Sequence, residues 1–146
     1  MKLLTGSLAI ALLVSSACHA DDDADLKKVQ GHWKIVAMQS GGKDAGADFL
    51  KGNLVVAKKT FTIVFTRNGT ERKLPIQIKL DSSKSPKQID FIDKDGKVNN
   101  HGIYKLDGKK LTICFDRVRR ERPKKFESKK DTRVRLMVVE RKPKKK

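Results

Sequence analysis

Apolar and polar positions alternate with a period of two along most of this chain. That is the spacing of side chains on one face of a β-strand. Between residues 61 and 66, Phe61, Ile63 and Phe65 share one face, and Thr62, Val64 and Thr66 share the other. Residues 74–80 repeat the pattern. Pro75 lies within them and cannot donate to a ladder, so it belongs at a strand start, an edge or a bulge. Shorter runs at 54–57, 88–92, 102–106 and 110–116 fit the same template. Residues 32–39 open the series with Trp33, Ile35 and Ala37 in phase. Residues 133–140 close it, with Val134, Leu136 and Val138 on one face and Arg133, Arg135 and Met137 on the other.

Turn chemistry separates these runs. Gly41-Gly42-Lys43-Asp44 and Asp93-Lys94-Asp95-Gly96-Lys97 read as turns. Asn68-Gly69 and Asp107-Gly108 are hairpin signals, because these residues tolerate positive φ. Residues 45–51 predict one helical turn, with Asp44 as its N-cap and Gly52 beyond its end. Residues 117–131 read as a long polar loop. About eight strands with short connections and no βαβ alternation predict an all-β antiparallel fold. A closed barrel is the expected form, since closure removes the edges that short strands otherwise expose.

The first 20 residues break the pattern. Met1-Lys2 is a cationic start, residues 3–14 are almost wholly apolar, and Ser15-Ser16-Ala17-Cys18-His19-Ala20 is a small-residue end. That order is the signature of a secretory signal peptide, and the apolar run is too short to span a bilayer. Cleavage after Ala20 is favoured. The alternative is cleavage before Cys18 with lipidation of its thiol, but Ser15 stands where that reading needs a leucine-like residue. The expected location is therefore periplasmic or extracellular, membrane-anchored only if Cys18 is lipidated. Asp21-Asp22-Asp23-Ala24-Asp25 then reads as a charged, disordered lead-in. One domain follows at 26–141, the right size for a single core, and a basic tail at 142–146.

Charge changes the picture. The net charge is +17, and residues 117–146 carry 15 basic against 4 acidic residues. Such a balance attracts polyanions at long range. Arg117, Arg119, Arg120, Arg122, Lys124, Lys125, Lys142, Lys144, Lys145 and Lys146 are the candidate polyanion-binding residues. An exported chain points them to an anionic envelope polymer or lipid surface rather than to a specific nucleic acid.

Catalytic chemistry finds no foothold in the sequence. With Cys18 in the signal, Cys114 is left unpaired between Ile113 and Phe115, and reads as a small buried hydrophobe rather than a nucleophile. His32 and His101 lie on separate runs without metal-ligand spacing. Residues 91–102 fail as a calcium loop, because Phe91 and Gly102 hold its first and last places. No phosphate loop, dinucleotide fingerprint or Gly-x-Ser-x-Gly occurs. Asp90 and Asp93 read as solvated turn residues, and the Asn68-Gly69-Thr70 sequon is explained by its turn. No enzyme activity, cofactor or metal is expected, and a monomer is.

Several stretches resemble an uncharacterised lipocalin-like domain family of planctomycete-type exported proteins. LKKVQGHWKIVAMQS at 26–40, followed by Gly41-Gly42-Lys43, is similar to its Q-G-x-W opening. Lys87-Gln88-Ile89-Asp90-Phe91, Gly102-Ile103-Tyr104-Lys105-Leu106-Asp107-Gly108, residues 110–115 (KLTICF) and Arg122-Pro123-Lys124-Lys125-Phe126 resemble later motifs in order. Lys109, in place of an acidic residue, and the lysine-rich tail depart from it. The resemblance implies a lipocalin-like barrel and export, not a reaction. By the same analogy Gly31 and Trp33 mark the closed end, with Arg133 or Arg135 of the last strand stacked on the indole as a cation–π lid.

A small apolar ligand would then enter the opposite mouth. Its candidate lining is Phe61, Ile63, Phe65, Ile76, Ile78, Tyr104, Leu111, Ile113 and Phe115. The same residues would equally fill a solid core, as small barrels do either.

Overall fold

The computed structural model describes residues 18–118 and 121–143. The expected apolar core of the signal, Arg119, Arg120, Lys144, Lys145 and Lys146 lie outside the described residues. The fold is a closed antiparallel barrel of eight strands with two short helices.

β1 (Gly31–Ser40) leads into a two-residue strand, β2 (Lys43–Asp44), that pairs only with its end. The helical turn α2 (Ala47–Leu50) follows. Its N-cap is Gly46 rather than Asp44, which pairs in β2 instead. β3 (Asn53–Ala57), β4 (Thr60–Arg67), β5 (Thr70–Asp81), β6 (Lys87–Ile92), β7 (Val98–Asp107), β8 (Lys110–Asp116) and β9 (Val134–Arg141) then meander up and down. β9 returns to pair with β1, from Trp33↔Arg141 to Ser40↔Arg135, and closes the wall.

The barrel has two unlike ends. At one lie the start of β1, the β3–β4 and β7–β8 turns and the β5–β6 connection. At the other lie α2, the β4–β5 and β6–β7 turns and the β8–β9 loop. The β4–β5 hairpin overshoots this second end, because β6 pairs with β5 only from Gln77 to Asp81. Pro75 sits on the stretch left open, where its missing N–H breaks no ladder on that side, and Arg72 and Lys73 add charge. Proline and charge are how natural proteins blunt such an edge.

Two expectations need correction, and the inward face of β9, left open by the sequence, is fixed. In β1 the inward phase slips: Trp33 and Ile35 are buried, but Ala37 is exposed and Met38 takes the next inward place. A bulge between Ile35 and Ala37 supplies the extra residue. In β9 the inward face is the one that carries Arg135 and Met137. Met137 and Val139 are buried in the main core, whereas Leu136 pairs with Cys114 on the outer face. The outer face is partly apolar because the loop at Glu127 and Ser128 covers part of it.

The other correction concerns the acidic lead-in, which is helical. α1 spans Cys18–Val29. Asp22, Asp25, Leu26 and Val29 recur at helical spacing, so one stripe meets the barrel while Asp23, Lys27 and Lys28 are exposed. Asp22 Oδ1 accepts from the Ser82 amide at 2.6 Å and its hydroxyl at 2.7 Å. Val29 is buried, and Leu26 packs against the core. Lys27 and Lys28 in the last turn suit the helix dipole.

The described part of the β8–β9 loop is also tied to the barrel. Ser128 Oγ donates to the Val134 carbonyl at 2.8 Å and accepts from the Gly42 amide at 3.1 Å. A Cβ on Gly42 would lie 2.7 Å from the Lys130 nitrogen, and Gly42 has φ +75°, so this approach requires glycine.

Candidate functional site

The closed end is built around Trp33. Its indole Nε1 donates to the Val29 carbonyl at 2.9 Å, tying the barrel floor to α1. The Arg141 guanidinium carbon lies 4.2 Å from the ring centroid. Arg141 Nη1 donates to the Gln30 carbonyl at 2.8 Å, and Nη2 donates to that of Lys28. The cation on Trp33 is therefore Arg141, not Arg133 or Arg135. Antiparallel pairing decides this. β9 runs toward the start of β1, so only its last residue reaches Trp33, while Arg135 pairs with Ser40 at the far end. Gly31 has φ +111°, and a Cβ there would meet Arg141 Nη1 at 3.2 Å. The Gln30 side chain completes the floor, pairing with both the amide and carbonyl of Lys58 in the β3–β4 turn.

A second latch holds α1. Asp25 Oδ2 accepts from Tyr104 Oη and from Lys87 Nζ, both at 2.7 Å, with the Asp25 side chain only 6% exposed. Burial pushes the Asp25 carboxyl up, but hydrogen bonds from Lys87 and Tyr104 and the charges of Lys87 and Lys28 outweigh it. The net shift is below the ordinary carboxylate value. Burial and then the Asp25 carboxylate push the Tyr104 hydroxyl well above its usual range, so it stays a donor. Tyr104 thus serves the latch.

The opposite end holds a cavity of about 230 Å³. Phe61, Ile63, Ile76, Phe91, Phe115 and Met137 form its apolar wall. Asp93, Lys94, Asn99 and Asn100 stand at its edge. Phe91 and Phe115 contact each other with ring centroids 4.9 Å apart, and Phe61 meets Phe91 edge-on at 6.4 Å. Of the nine expected lining residues, the cavity brings together Phe61, Ile63, Ile76 and Phe115. Phe65 is drawn aside to stack on Phe49 of α2 at 4.9 Å. Ile78, Tyr104, Leu111 and Ile113 are buried in the packed core, which fills the barrel from the Trp33 end upward. The barrel is therefore packed around Trp33 and hollow at the mouth, while Ile78 and Leu80 also border a concavity of about 340 Å³ against α1. Phe91 and Met137 were missed. Phe91 shares the inward phase of Ile89 in the 88–92 run, and that alternation is a signal available in the sequence.

The basic loop is less uniform than its composition implies. Arg122 is not free: it donates to Asp90 Oδ1 at 2.8 Å and to the carbonyls of Gly102 and Ile89 at 2.7 and 3.3 Å. Asp90 is accordingly a strand residue gripped by Arg122 and 3.0 Å from His101 Nδ1, not a solvated turn carboxylate. Asp93 does sit in its turn, where its carboxylate accepts from the Asp95 and Lys97 amides. Arg117, Lys124, Lys125 and Lys142 are exposed. A concavity of about 640 Å³ under the loop mixes signs, with Glu121, Glu127 and Asp131 among Lys124, Lys125 and Lys129.

Cys114 is buried on the outer side of β8, its Sγ 3.6 Å from the Glu127 carbonyl. Burial pushes its thiol up to about 11, so little thiolate forms at neutral pH. Among the described residues, no three His, Cys, Asp or Glu side chains cluster to hold a metal, and no helix is long and apolar enough to cross a membrane. No protein-family model, curated protein or solved structure matches the chain.

Proposed function

We propose that the protein is an exported, non-enzymatic binding module that takes a small apolar ligand into the barrel mouth. The observation that carries this reading is the hollow of about 230 Å³ among Ile63, Ile76, Phe91 and Phe115, at the end opposite the Trp33–Arg141 floor. Barrel mouths are preferred sites for small molecules, and the apolar wall with a few polar edge groups is the usual pocket composition. Export is supported by the charged start, apolar run and small-residue end of residues 1–20, and by the lipocalin-like motifs. A monomer is supported by the closure of β1 on β9 and by the blunted edge at Pro75.

Native mass spectrometry of protein purified from its own host tests the reading. A retained small molecule is expected in the natural protein and not in Ile76→Trp, which fills the hollow. Equal retention in both would refute a mouth site. The same intact mass reports whether Cys18 carries lipid.

A second reading is adhesion to an anionic envelope polymer or lipid surface. It is supported by exposed Arg117, Lys124, Lys125 and Lys142, with Arg119, Arg120 and the terminal lysines adding charge nearby in sequence. The acidic residues interleaved in the loop argue for the mouth as the leading site.

A further inference from the structure

Arg135 occupies an unusual place. Along β9 it shares the inward face with Met137 and Val139, both buried. Two residues of strand set it about 7 Å outward of Met137. Across β8 it faces Phe115, and across β1 it faces Ser40. Phe115 and Met137 both line the mouth cavity. Arg135 thus stands one step beyond Met137 and opposite Phe115, half-buried and toward the open end, though it is not itself among the residues that wall the hollow.

Its bonding is incomplete. The Arg135 side chain makes no hydrogen bond or ion pair with another described residue, and its Nε is buried without a partner. The next inward places on β9, Met137 and Val139, are apolar, and the one after them, Arg141, is satisfied by Trp33 and two carbonyls. A cation partly withdrawn from water with no counter-charge is destabilising, so such a group is retained at some expense to the fold. Burial, and then the nearby Arg117 charge, pull Arg135 below the ordinary arginine value, which reports the same unmet demand for an anion.

We infer that the mouth ligand is a small amphipathic anion, its apolar part among Ile63, Ile76, Phe91 and Phe115 and its anionic group on the Arg135 guanidinium. This rests on the mouth being the binding site and adds the class of ligand. The fork of a guanidinium matches a carboxylate or similar oxyanion with two parallel donors. Arg117 adds attraction at the rim. Size narrows the class further. At about 230 Å³ the hollow is smaller than the ~300–1,000 Å³ of pockets for drug-sized ligands. It suits a short acyl chain or a single aromatic ring, not a sterol or a long-chain lipid.

Calorimetric titration with octanoate and with 1-octanol tests this on the mature protein. The two probes share a tail and differ in charge. Octanoate should bind at least about tenfold more tightly, the usual scale of a charge-assisted hydrogen bond. Arg135→Gln should remove that advantage and leave 1-octanol unaffected, and Arg135→Lys should restore part of it. Ile76→Trp should abolish both. Equal affinities in the natural protein, or an octanoate affinity untouched by Arg135→Gln, would overturn the anionic class while leaving the mouth site standing. Failure of both probes to bind, or binding indifferent to Ile76→Trp, would overturn the mouth site itself. The comparison between probes in the natural protein needs no variant to fold. Arg135→Gln is also expected to fold, since it removes a cation that has no partner.

Discussion

Single residues set the two ends of this barrel apart. Trp33 is held by one cation and one carbonyl, and Arg141 also satisfies two carbonyls at the end of α1. Arg141→Gln should therefore lower stability by about 2 kcal/mol, combining a shielded cation–π contact with lost charge-assisted bonds. Chemical denaturation checks it, with exposed Arg133→Gln as the unchanged control. Part of this was legible. The sequence shows a tryptophan at the start of the first strand and arginines on the last, and antiparallel direction alone favours Arg141 over Arg133 and Arg135. The demands on Asp25 were not legible, because its partner Tyr104 lies 79 residues away. The Asp25 carboxyl is depressed in the fold, so its contribution is full above its unfolded value near 3.8 and fades as pH falls through the lower folded value. Asp25→Asn should destabilise the protein at neutral pH and flatten the acid limb of a stability–pH curve below about pH 4. An unchanged acid limb would remove Asp25 from the latch.

Whole elements show why alternation alone misassigned some faces. β8 was legible at its full extent, 110–116, because Leu111, Ile113 and Phe115 point inward without interruption. β1 was not, because a bulge shifts the phase between Ile35 and Met38 and a bulge has no reliable local signature. β9 left its inward face undecided for another reason: both of its faces carry apolar residues, and the outer one, with Leu136 beside Cys114, is partly covered by the loop at Glu127. The mouth site suffered in consequence, with Met137 missed and Arg135 expected at the Trp33 end rather than at the mouth end. The loop makes its own prediction. Phe126 lies under Lys105 at 4.9 Å, and Arg122 pins the loop to β6 and β7. Phe126→Ala should loosen the cover over Cys114 and raise its labelling rate by a disulfide reagent at least several-fold, with the barrel's circular dichroism unchanged. Labelling of the natural protein should be slow, given burial and a thiol raised to about 11. Fast labelling of the natural protein would mean that the loop does not cover β8.

At the scale of the whole molecule, charge and cavity offer two binding modes that respond differently to salt. The chain carries a net +17, so a polyanion such as heparin should associate at low ionic strength whether or not the mouth is occupied. Each neutralised anionic group releases a counterion, and affinity then falls steeply as salt rises. Exposed Lys124 and Lys125 should each contribute close to one such contact, so Lys124→Gln with Lys125→Gln should shallow the salt slope measurably. Arg122 should not behave as they do. Its charge is spent on Asp90 and two carbonyls, so Arg122→Gln should lower stability rather than the slope. Octanoate presents only one charge and places its tail in a shielded hollow, so its affinity should change little over the range that abolishes heparin binding. Occupying the mouth with octanoate should also leave heparin binding unaltered, since Lys124 and Lys125 lie on the outer loop and Arg135 on the lumen rim. Competition between the two at moderate salt would show a shared site, and would require the rim arginines to belong to the polyanion surface. Independence would assign the basic loop to non-specific attraction and leave specific recognition to the mouth.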